Sequence, residues 1–246
     1  MSRFRAALVH LLISALVGLA LFAMVWWVWY PAPMLFAIGG QSIFFLIVAI
    51  DVLIGPVLTL VVFKSGKRTL KFDLAVIALL QVAAMMYGVR SLLEARPVFL
   101  AALGDKFQVI QAPEIADLNL AKSKLTHLPW FGPRLVGTAP PTDRLALDEV
   151  AGVTQLAGGG LGHFPQFHVP YSSMKDEILA KSKPISELRN LNKDRSAEID
   201  QWIASYGLTD EQIRYQPVQI VATDYAVIID AKSAAVIGIA PFKPWL

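Results

Sequence analysis

The chain has 246 residues, 55% of them hydrophobic, a mean hydropathy of +0.53 and a formal net charge of +3. That is too apolar for an ordinary soluble domain, and the lack of any cysteine excludes disulfides, thiolate metal sites and cysteine nucleophiles. Residues 1–93 hold 7 of the 22 Lys and Arg but 2 of the 19 Asp and Glu. The pI of 9.1 therefore comes from the apolar N-terminal part and not from a basic patch on the remainder, which argues against nucleic acid as a partner.

Ala6 to Trp29 runs 24 residues without a formal charge behind Arg3 and Arg5. As a helix it is about 36 Å long, enough to cross a hydrocarbon core of ~30 Å. It is too long for the apolar part of a signal peptide and closes on Trp26, Trp27, Trp29 and Tyr30, an aromatic belt, so it reads as a retained span. Pro31 to Gly40 has no Lys or Arg and reads as a tight loop. Gln41 to Phe63 is the second span. Leu74 to Val89, continuing to Leu93, is the third, with Asp73 placed as its N-cap. The loop between them carries Lys64, Lys67, Arg68 and Lys71. By the positive-inside rule that loop and the N-terminus are cytoplasmic, and the chain after Arg96 lies on the other side, the periplasm in a bacterium.

Asp51 sits in the middle of span two, with Gly55-Pro56 one turn on. A carboxylate at that depth costs roughly 2.5–3.5 kcal/mol on insertion scales and calls for a partner. Counting about 15 Å inward from the outer end of the span brings Leu80 and Gln81 of span three, and Gly18 of span one, to the same level. Gln81 is the expected hydrogen-bond donor, and Gly18 the expected point of close backbone approach. Pro56 removes a backbone donor and frees the carbonyl of Val52. Asp51 and Gln81 then either lock the three helices together or present a polar group to a partner helix. A proton relay finds no second acid or histidine at that depth, His10 being expected near the opposite face.

Beyond Arg96, Pro97–Leu103 and Lys106–Gln111 read as strands around a Gly104-Asp105 turn. Helical patterns follow at Thr142–Val150 with Thr142 as cap, at Ser173–Lys181, from Pro184 to Leu191, and from Asp194 or Ser196 to a stop at Gly207, with one more turn over Thr209–Tyr215. Val218–Ile229 and Ala234–Ala240 form a terminal β-hairpin, expected at the centre of a small antiparallel sheet. Trp245 and Leu246 are expected to pack back on the domain or to touch the membrane. The fold class is a membrane protein with a three-helix transmembrane region (1–95; spans 6–29, 41–63 and 74–93) and a small α+β extracytoplasmic domain (96–246).

Signals for chemistry are weak. His163 and His168 lack the helical i, i+4 spacing and nearby acid of a zinc site. Neither the run Gly158-Gly159-Gly160-Leu161-Gly162 nor Lys64-Ser65-Gly66-Lys67 completes a phosphate loop, and no G-x-S-x-G frames a serine or pairs it with Asp224. Catalytic, cofactor and metal residues are all expected to be absent.

The opening MSRFRAALVHLLISALV, the WYP exit of span one, the pattern D-x-x-x-G-P-x-L-T-L-x-x-F-K-x-G-K from Asp51 and the run LKFDLAVIALLQ resemble type IV pilin accessory proteins of the TfpX/TfpZ family. The likeness is dense over residues 1–100 and loose beyond. It implies a non-enzymatic, multi-pass inner-membrane protein that associates with type IV pilin and assists its stability, assembly or extension–retraction; a bundle with an outward head is physically suited to contact the pilin transmembrane helix through Asp51 and Gly55-Pro56 and the pilin head through residues 96–246. It carries over no catalytic residue. Two other classes remain open: a membrane enzyme acting on pilin or envelope glycans through the 129–168 region, and a ligand sensor with a periplasmic domain. A pocket uniting His163, His168 and an acid would favour the enzyme.

Overall fold

The structure, a computed structural model, describes residues 2–157, 160–220 and 225–245. Gly158, Gly159, Asp224 and Leu246, all considered above, lie outside the described residues. The chain divides into two units, Met1–Pro31 with Gly39–Arg96, and Ala32–Ile38 with Pro97–Leu246.

The first unit holds three helices long and apolar enough to cross a membrane: α1 (Arg3–Trp29), α2 (Gln41–Val62) and α3 (Leu70–Glu94). Ser2 starts α1 by accepting the Arg5 N–H on its side chain, at 3.3 Å. The last turn of α1, Val25–Trp29, widens to a π-helix. Helix α3 begins a turn earlier than its apolar run suggests. Asp73 is therefore not its cap but lies in its first turn, favourable to the helix dipole, where it accepts the Thr69 hydroxyl at 3.1 Å and pairs with Lys67 at 2.6 Å. Leu12, Leu16, Leu19, Phe45, Leu53, Val61 and Leu79 are all exposed, a surface suited to lipid and not to water.

Close packing in the first unit occurs at Gly55 and Gly88. A Cβ on Gly88 would overlap Ile47, and one on Gly55 would overlap the Gln81 amide. At Gly18, by contrast, it would meet Val48 and Val52 at an ordinary 3.8 and 3.9 Å. The glycines that a Cβ would bring into overlap thus lie between α2 and α3, while Gly18 of α1 is an ordinary contact point.

In the second unit, β1 (Pro97–Ala102) and β2 (Phe107–Gln111) pair antiparallel as their turn predicts. Next come β3 (Arg134–Thr138), α4 (Arg144–Ala157), β4 (His168–Val169), α5 (Lys175–Lys181), β5 (Lys183–Pro184), α6 (Ile185–Leu191) and α7 (Ser196–Ser205). The chain ends in β6 (Ile213–Gln219), β7 (Tyr225–Asp230) and β8 (Val236–Ala240). Asp143, not Thr142, caps α4, its carboxylate accepting the Ala146 N–H at 3.1 Å. Ser173 bonds back to the Pro170 carbonyl and α5 starts at Lys175. The turn expected over Thr209–Tyr215 stops at Gln212, because Ile213 and Tyr215 are buried strand residues.

The sheet runs β4-β3-β1-β2-β6-β7-β8, with β5 also on β6. It is mixed, since β1 lies parallel to β3 and β2 parallel to β6. The β7–β8 hairpin is therefore at one edge, not at the centre of an antiparallel sheet. Ile185 and Leu188 of α6 and Ile199 and Ile203 of α7 pack on Ile213, Tyr215 and Ile228 of the sheet. Each such side chain contributes about 1.5–3 kcal/mol by leaving water. Trp245 is 36% exposed.

Candidate functional site

Span two is not a continuous α-helix. Residues Ile50–Ile54 form a π-turn, in which the Gly55 N–H reaches back five residues to the Ile50 carbonyl. In an α-helix that N–H would serve Asp51. The next amide is Pro56, which has no N–H, so the Asp51 carbonyl is left without a helical partner. Gln81 of α3 supplies the missing donor. Its Nε2 donates to the Asp51 carbonyl at 3.1 Å and to Asp51 Oδ1 at 3.3 Å. Gly55 makes this possible by leaving the space that the Gln81 amide occupies. Asp51, Gly55, Pro56 and Gln81 are thus brought together by one irregular turn, of a kind found often at functional sites.

The acid is 8% exposed. Its Oδ2 has no hydrogen bond among the described residues, and Asp51 borders a cavity of about 170 Å³ with His10, Ser14, Val17, Gln81 and Met85. His10 therefore shares the cavity of the acid instead of lying at the far face. Its Nδ1 is 2.6 Å from Thr59 Oγ1, two turns beyond Asp51 on α2. His10, Ser14 and Thr59 were missed by depth counting. Their signal is helical spacing: His10 and Ser14 are four apart on α1, and Asp51 and Thr59 eight apart on α2, so each pair shares a helix face.

The basic residues Arg3, Arg5, Lys64, Lys67, Arg68 and Lys71 are all exposed, in keeping with a place in the water beside the helices. The histidines of the second unit do not converge. His163 is buried, its Nδ1 taking the Gly160 N–H at 3.0 Å and its Nε2 3.8 Å from Glu114. His168 donates from Nε2 to the Gly162 carbonyl at 2.9 Å and stands edge-on to Phe99, and burial pushes its pKa down. It borders a cleft that contains neither His163 nor a carboxylate. Among the described residues no group of three or more His, Asp or Glu is placed to hold a metal ion.

The family described as fimbrial assembly protein FimB matches residues 1–39. The fimbrial assembly protein of serogroup E1 from Dichelobacter nodosus is 28% identical over 229 residues, 90% of this chain and 88% of that protein. The serogroup I protein of the same organism has the same identity and coverage. Its serogroups C1 and C2 protein is 33% identical over 109 residues, 44% of this chain and 83% of that protein. No solved structure matches the chain. With three spans, a soluble C-terminal domain and these relatives, the chain belongs to the fimbrial assembly protein family.

Proposed function

We propose that the protein is a non-enzymatic accessory of type IV fimbrial assembly that holds pilin in the bacterial inner membrane before it enters the fibre. The N-terminus and the 64–69 loop are cytoplasmic and the second unit is periplasmic. This orientation rests on Lys64, Lys67 and Arg68 between spans two and three, with Lys71 in the first turn of α3, against no Lys or Arg between spans one and two. The role in fimbrial biogenesis rests on the family, and the finer TfpX/TfpZ assignment on the motif running from Asp51 to Lys67.

The observation that carries the pilin contact is the half-used carboxylate of Asp51. A buried acid inside a membrane normally satisfies both oxygens within its own bundle. Here one oxygen is held by Gln81 and the other is left to a cavity bordered by α1 and α3. A polar group on a client's transmembrane helix would complete it, which gives the accessory a grip on a helix whose remaining surface is as apolar as lipid.

Photo-crosslinking from Val82 and Met85 in living cells, followed by detection of pilin, tests the contact. Asp51→Asn keeps the shape and the Gln81 bond but removes the charge. At normal protein level it should lower both pilin crosslinking and surface piliation about tenfold, as the loss of one charge-assisted bond implies. Unchanged crosslinking and piliation would refute the intramembrane contact.

A further inference from the structure

The sheet of the second unit has an unfinished edge. Strand β3 lies along β1 from Arg134 to Gly137, but on its other side β4 covers Gly137 and Thr138 alone. After Val169 the chain meets Pro170, which cannot donate to a ladder, and leaves the ladder as a 3-10 turn, Tyr171–Met174, that packs on β3 through Met174, whose sulfur accepts the Thr138 N–H at 3.0 Å. Arg134–Val136 is left without a strand neighbour on that side among the described residues. Open strand edges expose a row of N–H and C=O groups that pair readily with another extended chain.

This edge opens into a cleft of about 450 Å³. Residues 122–125, Pro165, Gln166 and 168–170 line it together with Phe99 and Val136. Its charge is of one sign. Lys122, Lys124 and Arg134 line it and no carboxylate does. Lys122 is paired with Glu149 at 2.9 Å, whereas Lys124 and Arg134 have no ion-pair partner among the described residues. His168 adds shape and not charge, because burial favours its neutral form.

We infer that this cleft is a docking site for an extended, acidic peptide segment of another protein, which adds as a strand to the open edge of β3 while its carboxylates meet Lys124 and Arg134. Main-chain bonds supply affinity in such a mode, and the two cations select acidic sequences. The site is separate from the intramembrane contact and stands or falls independently of it.

The test uses the full-length protein in a non-ionic detergent and a fluorescein-labelled peptide alternating glutamate with valine, read by fluorescence anisotropy. Saturable binding that weakens with added salt is expected. Replacing glutamate by glutamine in the peptide, or N-methylating alternate backbone amides, should each weaken binding about tenfold. The double variant Lys124→Glu with Arg134→Glu should lose the acidic peptide and take up a lysine–valine counterpart. Both positions are exposed, and size-exclusion and circular dichroism profiles will confirm that the variant folds. No binding, or equal binding by wild type and double variant, overturns the proposal. So does equal binding of the N-methylated peptide, or its displacement by equimolar inorganic phosphate, since either makes the cleft a small-anion site.

Discussion

Gln81 and Gln216 are two amides that hold irregular backbone in place. Gln81 repairs the carbonyl that the π-turn and Pro56 leave unpaired. Gly55→Ala would push its amide off both acceptors and leave a carbonyl unsatisfied, costing about 1–3 kcal/mol. A Gly18→Ala change, with only ordinary contacts at 3.8 and 3.9 Å, should stay within about 0.5 kcal/mol. Unfolding of the two variants in mixed micelles compares them directly. Gln216 is fully buried, and its Nε2 donates to the carbonyls of Gly104 at 2.8 Å and Ile178 at 3.0 Å. Gln216→Leu strands both, and thermal unfolding should show a loss of about 2–3 kcal/mol. Gln81 was legible because a polar residue in an apolar span has to find company at its own depth. Which carbonyl it meets was not, because a π-turn is invisible to hydropathy. Gln216 gave no signal at all: it sits in a strand where polar residues normally face water.

The helices of the second unit are tied to one another through Arg189 of α6. Its guanidinium donates to Asp200 of α7 at 2.8 Å and to both oxygens of Asp210 in the following turn. The Asp210 carboxyl is held below its usual pKa chiefly by that hydrogen bond to Arg189. A depressed folded pKa means that the stabilisation is complete above the unfolded carboxylate value of about 3.9 and fades as pH falls through the folded value. Asp210→Asn should therefore cost about 0.5–1 kcal/mol at neutral pH. That difference should shrink as chemical-denaturation curves are taken below about pH 4. Element positions were largely legible here, since Ile185, Leu188, Ile199 and Ile203 mark their faces by period alone. Their starts were less so: Asp143 displaced Thr142 as a cap, and Ile213 began a strand where a helical turn was expected, because burial against α6 and α7 outweighed local propensity.

At the scale of the whole molecule, the charge asymmetry between loops makes a sharp prediction for the orientation proposed above. Alkaline phosphatase fused in the 64–69 loop should be inactive, and fused after Trp245 active. The reverse pattern would invert the proposed topology. The three spans, a soluble domain beyond them, its first strand pair and the pairing of β7 with β8 follow from sequence, because apolar length, period-two alternation and turn residues are properties of neighbouring positions; Val218 and Gln219, expected in one strand with Tyr225–Ile229, instead end β6. The order of the strands, with β1 beside β3 and β2 beside β6, was decided only by the tertiary structure, as were the meeting of His10 with Thr59, the cavity that His10 shares with Asp51 and the basic cleft over the open edge of β3. Each of these joins residues far apart in the chain, and such pairings depend on which buried surfaces fit together and not on any pattern a local stretch can carry.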